Sequence, residues 1–240
     1  MQAADPMKGF AAAVLALGLI ATPMAARAAD RNAVLSNIPW RAAPAYDQVV
    51  AAYPPRAAKA GLGGRARLKC RFGDDGWIKG CRTIDEAPKG LGFASAAQSL
   101  AGLFQGPAEG SDGGSISGAY TEIPFSFTPD MLDPAKRPTG KATWVALPDV
   151  EAFRAGFPAA AMQAGVGVAR VVLRCTAGAG GALEGCAVES EEPAGLGFGD
   201  AALKLSGRFR LNAWSAEGLP VIGAVVRVPL RYDAGAPPAD

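Results

Sequence analysis

The sequence predicts an α+β chain in which two small domains follow one another, each a short antiparallel sheet (hairpin plus closing strand) packed on a helix. Three observations carry that expectation. The stretches CRFGDDGWIKGC at 70–81 and CTAGAGGALEGC at 175–186 place all four cysteines on one interval used twice. Ala66, Leu68, Cys70 and Phe72 alternate with Arg65, Arg67, Lys69 and Arg71, the period of two that marks a half-buried strand. After each interval the tetrapeptide GLGF, at 90–93 and 195–198, runs into an alanine-rich stretch that reads as a helix.

The repetition spans about 90 residues in each copy, a length that suits a small domain and not a solenoid unit. Trp40 and Pro44 recur as Trp144 and Pro148, Tyr53-Pro54 as Phe157-Pro158, and Ala60-Gly61-Leu62-Gly63 as Ala164-Gly165-Val166-Gly167. One inserted residue then raises the offset to 105, at which Pro88 recurs as Pro193, Phe104 as Phe209, Gly118-Ala119 as Gly223-Ala224 and Pro124 as Pro229. The expected organisation is a signal peptide (1–28), an N-terminal segment (29–37), a first copy (38–128), a Pro-rich linker (129–141), a second copy (142–232) and a flexible tail (233–240).

The signal peptide is read from Lys8, a following apolar run and the small-residue site Ala26-Arg27-Ala28, with Met7 as the expected true start. The run is about 14 residues, short of the roughly 20 that span a bilayer, so cleavage near Ala28 is expected and no membrane-spanning segment remains. The mature chain is expected in the periplasm. Lys plus Arg is 24 against 22 for Asp plus Glu, and this balance leaves no basic footprint for nucleic acid.

Within each copy the elements are expected in one order. PAYDQVVAA (44–52) and PDVEAFRAG (148–156) read as short helices with proline near the first position. An aromatic-Pro step leads into a second short helix, closed by Gly61 or Gly165. The hairpin comes next, turning at Asp74-Asp75-Gly76 or at the GAGG of the second copy. In its second arm Ile78 and Cys81 are three apart, as are Leu183 and Cys186, so both members of a pair face the core only across a bulge. SAAQSLAGLF and DAALKLSGRF read as helices with Ser95 and Asp200 as caps. Each copy closes on a strand in which Ile123, Phe125 and Phe127, or Val228, Leu230 and Tyr232, share one face. Pro124 and Pro229 fall on the other, which marks an edge strand or one whose pairing ends there.

Four cysteines allow three pairings. The hairpin selects Cys70 with Cys81 and Cys175 with Cys186, expected near its open end where cross-strand partners come within bridging distance. A four-cysteine zinc site is disfavoured, because the short C-x-x-C spacing is missing and the chain contains no histidine.

The ordered set YPPRAAKAGLGG, ARLKCRFGDDGWIKGCRTI, PKGLGFASAAQSL and TEIPFSF resembles the TonB C-terminal domain. The same order returns in FPAAAMQAGVG, VVLRCTAGAGGALEGCAVES, PAGLGFGDAALKL and VRVPLRY. The resemblance implies a small antiparallel sheet with a helix on one face. It also implies a protein partner: a short N-terminal segment of an outer-membrane receptor docked beside the closing strand, as in TonB-type transmembrane transport. The best-known energy transducers carry a membrane anchor with a functional histidine and a long Pro-rich spacer, neither of which this sequence shows, so the likeness is to the periplasmic domain.

Other chemistries find little to work with. Without histidine the commonest general base and metal ligand is missing, and bridged cysteines are not nucleophiles, so no enzyme, cofactor or metal is expected. Asp74-Asp75-Gly76 lacks the calcium-loop spacing. GLGF resembles the carboxylate-binding loop of PDZ domains, but it leads here into a helix and reads as a tight turn with Phe93 or Phe198 beneath it. Glu189, Glu191 and Glu192, with Asp85 and Glu86 in the first copy, read as a surface acidic loop. The expected binding surfaces are the closing edges at Ala119, Tyr120, Thr121 and Glu122 and at Ala224, Val225, Val226 and Arg227, which pair with an extended receptor or envelope segment. The alternative use of these edges is pairing of the two copies with each other, or self-association of chains, in a structural or assembly role.

Overall fold

A strand with basic residues on one face and apolar residues on the other packs its apolar face on a core layer and turns its basic face to water; here that layer is a helix. The computed structural model, which describes residues 33–234, takes that arrangement twice. In the first half β1 (Val34–Leu35) precedes α1 (Tyr46–Ala51), α2 (Pro55–Lys59), β2 (Gly64–Phe72), β3 (Ile78–Ala87), α3 (Phe93–Ala101) and β4 (Tyr120–Phe127). In the second half β5 (Trp144–Ala146) precedes α4 (Val150–Ala155), α5 (Ala159–Gln163), β6 (Val168–Ala177), β7 (Leu183–Glu192), α6 (Phe198–Ser206), β8 (Arg210–Leu211) and β9 (Val225–Asp233). The fold is α+β. The signal-peptide reading lies outside the described residues, as does the tail beyond Ala234.

β2 lies between β3 and β4, antiparallel to both, and β6 lies in the same way between β7 and β9. Ala66, Leu68, Cys70 and Phe72 of β2 are buried, as are Ile123, Phe125 and Phe127 of β4. α3 closes this face with Phe93, Ala97 and Leu100, and α6 does the same with Phe198, Ala202 and Leu205. The expected bulge is present: Lys69 faces Arg82 and Arg71 faces Lys79, so Cys70 opposes both Gly80 and Cys81. Gly80, at φ 56, takes the left-handed conformation that this offset requires. The second hairpin repeats it at Gly185.

Four local expectations are corrected. Ser95 and Asp200 do not cap their helices, which start two residues earlier at Phe93 and Phe198 behind left-handed Gly92 and Gly197. Pro44 and Pro148 sit before the caps Ala45 and Asp149, outside the helices. The hairpins run on to Ala87 and Glu192, so the cysteine pairs lie toward the turn and not the open end. The expected tail at 233 is still ordered strand at Asp233, and the Ala234 amide donates to the Gly167 carbonyl at 2.8 Å.

The halves interlock. Residues 129–141, read as a linker, begin with a 3-10 helix at Pro129–Leu132 whose Met131 is buried. The Tyr46 hydroxyl donates to the Met131 carbonyl, and Arg137 stacks 4.4 Å over the Tyr46 ring. Burial beneath these groups pushes the Tyr46 phenol up from its ordinary value. From the second half, Ala213 and Trp214 join the first core.

Candidate functional site

The closing strands are the site the sequence points to, and their backbones decide what they can do. In an antiparallel pair alternate residues turn their N–H and C=O away from the neighbour. On β4 the outward residues are Tyr120, Glu122, Pro124 and Ser126, and on β9 they are Val225, Arg227, Pro229 and Arg231. Each proline therefore falls where no ladder donor is needed, which is why both strands tolerate it.

The outward edge of β4 is occupied from both ends. β1 lies parallel to it, with Val34 opposite Tyr120 and Leu35 opposite Thr121. The Tyr120 amide donates to the Ala33 carbonyl at 2.8 Å, and the buried Thr121 hydroxyl donates to the Leu35 carbonyl at 3.1 Å. Farther along, the Trp214 indole N–H donates to the Pro124 carbonyl at 3.0 Å and the Ser126 amide donates to the Gly218 carbonyl at 2.8 Å. Gly218 sits so close that a Cβ there would stand 2.7 Å from the Pro124 backbone. Asn212 adds to this contact: its side chain accepts from the Trp40 amide and donates to the Ile38 carbonyl.

The corresponding edge of β9 has β6 on one side and, among the described residues, no strand on the other. Val225 is 58% exposed. Arg227 pairs across the sheet with Glu189, its Nε 3.0 Å from Oε2. The contact is bidentate, with Nη2 on Oε1 as well, and lies at the surface. The opposite edges of the two larger sheets, β3 and β7, are each broken by two register shifts, and bulged strands make poor templates for another chain.

The expected binding residues thus have different surroundings in the two halves. Ala119 and Ala224 are fully buried and their backbones are already used, each amide donating to Ile116 or Val221 and each carbonyl accepting from Phe72 or Ala177, so neither can bind an added strand. Tyr120 is half-buried beneath Lys69, whose Nζ lies 5.1 Å from the ring centroid. Thr121 is committed to β1, and exposed Glu122 lies 3.7 Å from Arg67. Val225 and Arg227 are exposed and Val226 is half-buried.

The cysteines stand where the hairpins bring them. Cys70 is bonded to Cys81 and Cys175 to Cys186, each pair with Cα atoms 4.1 Å apart. Two disulfides fit an oxidising compartment. No helix among the described residues is long and apolar enough to cross a membrane.

The acidic residues and the GLGF turns form one structure that sequence reasoning separated. Glu86 accepts the Ala94 amide at 3.1 Å and Glu191 accepts the Phe198 amide at 3.0 Å. The hairpin thus supplies the carboxylate that the helix N-terminus requires. A GLGF turn holding its own chain's carboxylate does not present that amide to a ligand. Sequence reasoning also missed β1 and Trp214. The signal for Trp214 was an aromatic with no counterpart, since Glu109 stands at the matching position. For β1 it was the apolar pair Val34-Leu35 within the polar stretch DRNAVLSN.

No family model matches the chain. A protein of Caulobacter vibrioides (strain ATCC 19089 / CIP 103742 / CB 15), described as uncharacterized, is 37% identical over 59 residues. The match covers 25% of this chain and 59% of that protein.

Proposed function

We propose that the chain is a periplasmic protein-binding module of two tandem TonB C-terminal-like domains, and that it recognises an extended segment of an outer-membrane receptor or other envelope protein by strand addition. The outward edge of β9, which has no strand beside it among the described residues, carries this reading. Its outward amides at Val225 and Arg227 supply backbone donors for an added strand, and alternate side chains supply selectivity. The two disulfides and the order of hairpin, helix and closing strand in each half support it further. The domain is expected to serve TonB-type transport, without an enzyme activity or a cofactor.

Titrating receptor N-terminal peptides while mapping backbone shifts tests the reading. Shifts centred on Val225–Arg227 are expected. Val225→Pro removes an outward donor while leaving Val228, Leu230 and Tyr232 on the core face, so it should abolish binding in a folded chain. Unchanged affinity in that variant rules out docking at this edge.

A second reading has its own observation. The hydrogen bonds from Trp214 and to Gly218 tie the second half onto the β4 edge. A structural protein whose halves pair with each other and bind no receptor peptide would show that contact too, but it would leave β9 without an occupant under any peptide.

A further inference from the structure

The two closing strands share a register but not an occupant, and this difference points to a built-in latch. We propose that residues 33–35 act as the chain's own pseudo-ligand, holding the first edge shut so that only the second is open to a partner. The inference rests on the strand-addition reading for its functional meaning, while the latch itself is a property of the fold.

The contacts are those of an added strand. Ala33 accepts the outward Tyr120 amide, Leu35 accepts the Thr121 hydroxyl, and Leu35 packs against the first core. The second half keeps the same outward position at Val225, with no strand beside it among the described residues. The latch is also short. β1 has two residues, and Val34 is 50% exposed. At ordinary net worth the bonds to the Ala33 and Leu35 carbonyls by themselves hold such a strand against release by a factor of about thirtyfold.

Its tether makes it a reversible device. Ile38 and Trp40 are buried, and Asn212 of the second half binds the backbone of both. Only Ser36 and Asn37 separate that anchor from β1, and Asn37 takes a left-handed φ of 53 that turns the chain. A released strand therefore stays at an effective concentration on the order of millimolar beside its own edge. An incoming segment must outcompete it, and gains only the stretch up to Glu122, because Trp214 and Gly218 cover the edge from Pro124 to Ser126. The first edge is thus an intrachain closure that a strong or tethered partner alone would open.

Amide hydrogen exchange on the chain from residue 29 to 240 tests the latch without any partner. The Tyr120 amide should exchange at least about tenfold more slowly than the Val225 amide. Leu35→Asp should erase that difference while the β2 amides stay protected, showing that the first half remains folded. Thr121→Val, which keeps the side-chain shape, should erase part of it. Equal exchange at Tyr120 and Val225 in the unaltered chain overturns the proposal. A peptide of the chain's own residues 30–37 (DRNAVLSN) is the binding probe. It should shift Val225–Arg227 alone in the unaltered chain and should shift Tyr120–Glu122 as well in Leu35→Asp. Equal shifts at Tyr120–Glu122 in both proteins also overturn the latch. If the peptide shifts neither edge in either protein while Tyr120 is protected, the latch stands as a structural closure and the strand-addition reading fails.

Discussion

Replacing Trp214 by alanine should destabilise the half of the protein to which Trp214 does not belong in sequence. The side chain is 2% exposed and lies inside the first core. Its ring meets Phe104 edge-on at 5.0 Å and Phe125 at 5.3 Å, and its N–H serves the Pro124 carbonyl. A buried tryptophan removes roughly 200 Å² from water, which at about 25 cal/mol per Å² is about 5 kcal/mol. Measured truncations of large aromatics run at about 3–5 kcal/mol. The expected loss is therefore about 3–5 kcal/mol. Trp214→Phe should keep most of the packing and lose about 1 kcal/mol through the orphaned carbonyl. Urea unfolding, followed by hydrogen exchange at Leu68 in β2 and Leu173 in β6, separates the halves. The first half should fall by the full amount, with the second losing stability only as far as the two unfold together. A loss under about 1 kcal/mol, or one confined to β6, would refute a core shared between the halves.

Burial pushes the Tyr232 phenol up to about 12, and its hydroxyl has no hydrogen-bond partner among the described residues. The folded chain holds this proton where the unfolded chain, near 10, has lost it. The associated stability is complete below about pH 10 and disappears as pH rises toward about 12, a loss on the order of 2 kcal/mol. Tyr232→Phe, which copies Phe127 of the first half, should flatten that part of an alkaline unfolding profile; an unchanged slope contradicts it. Glu191→Ala should lower stability by about 1 kcal/mol through the uncapped Phe198 amide, read as a lower urea midpoint, while Glu192→Ala should change little. Replacing Cys70 and Cys81 together by alanine should cost the first half about 2–4 kcal/mol, and non-reducing peptide mapping should link Cys70 to Cys81 and to neither cysteine of the second half.

What was legible in the sequence was what short range determines. Alternation along Arg65–Phe72 gave the strand and its buried face, the spacing of Ile78 and Cys81 demanded the bulge, and Pro124 and Pro229 marked outward edge positions. What was hidden depends on residues distant in the chain. Ser95 and Asp200 looked like caps because a local hydroxyl or carboxylate is the usual source, whereas Glu86 and Glu191 arrive from the hairpin. A two-residue strand such as β1 has no periodicity to detect, and its pairing with Tyr120 spans most of the first half. The closing edges looked equivalent because the repeat is good there. The difference lies in β1 and in Trp214 and Gly218, whose role in covering β4 no local pattern announces.

Counting peptide sites on the intact chain decides between one open edge and two. Calorimetric titration of the chain from residue 29 to 240 with a receptor N-terminal peptide should give one site per chain, lost in Val225→Pro and unaffected by Tyr120→Pro. Two equivalent sites, or a single site that survives Val225→Pro, would show that β9 is not the open edge or that β4 is not the closed one.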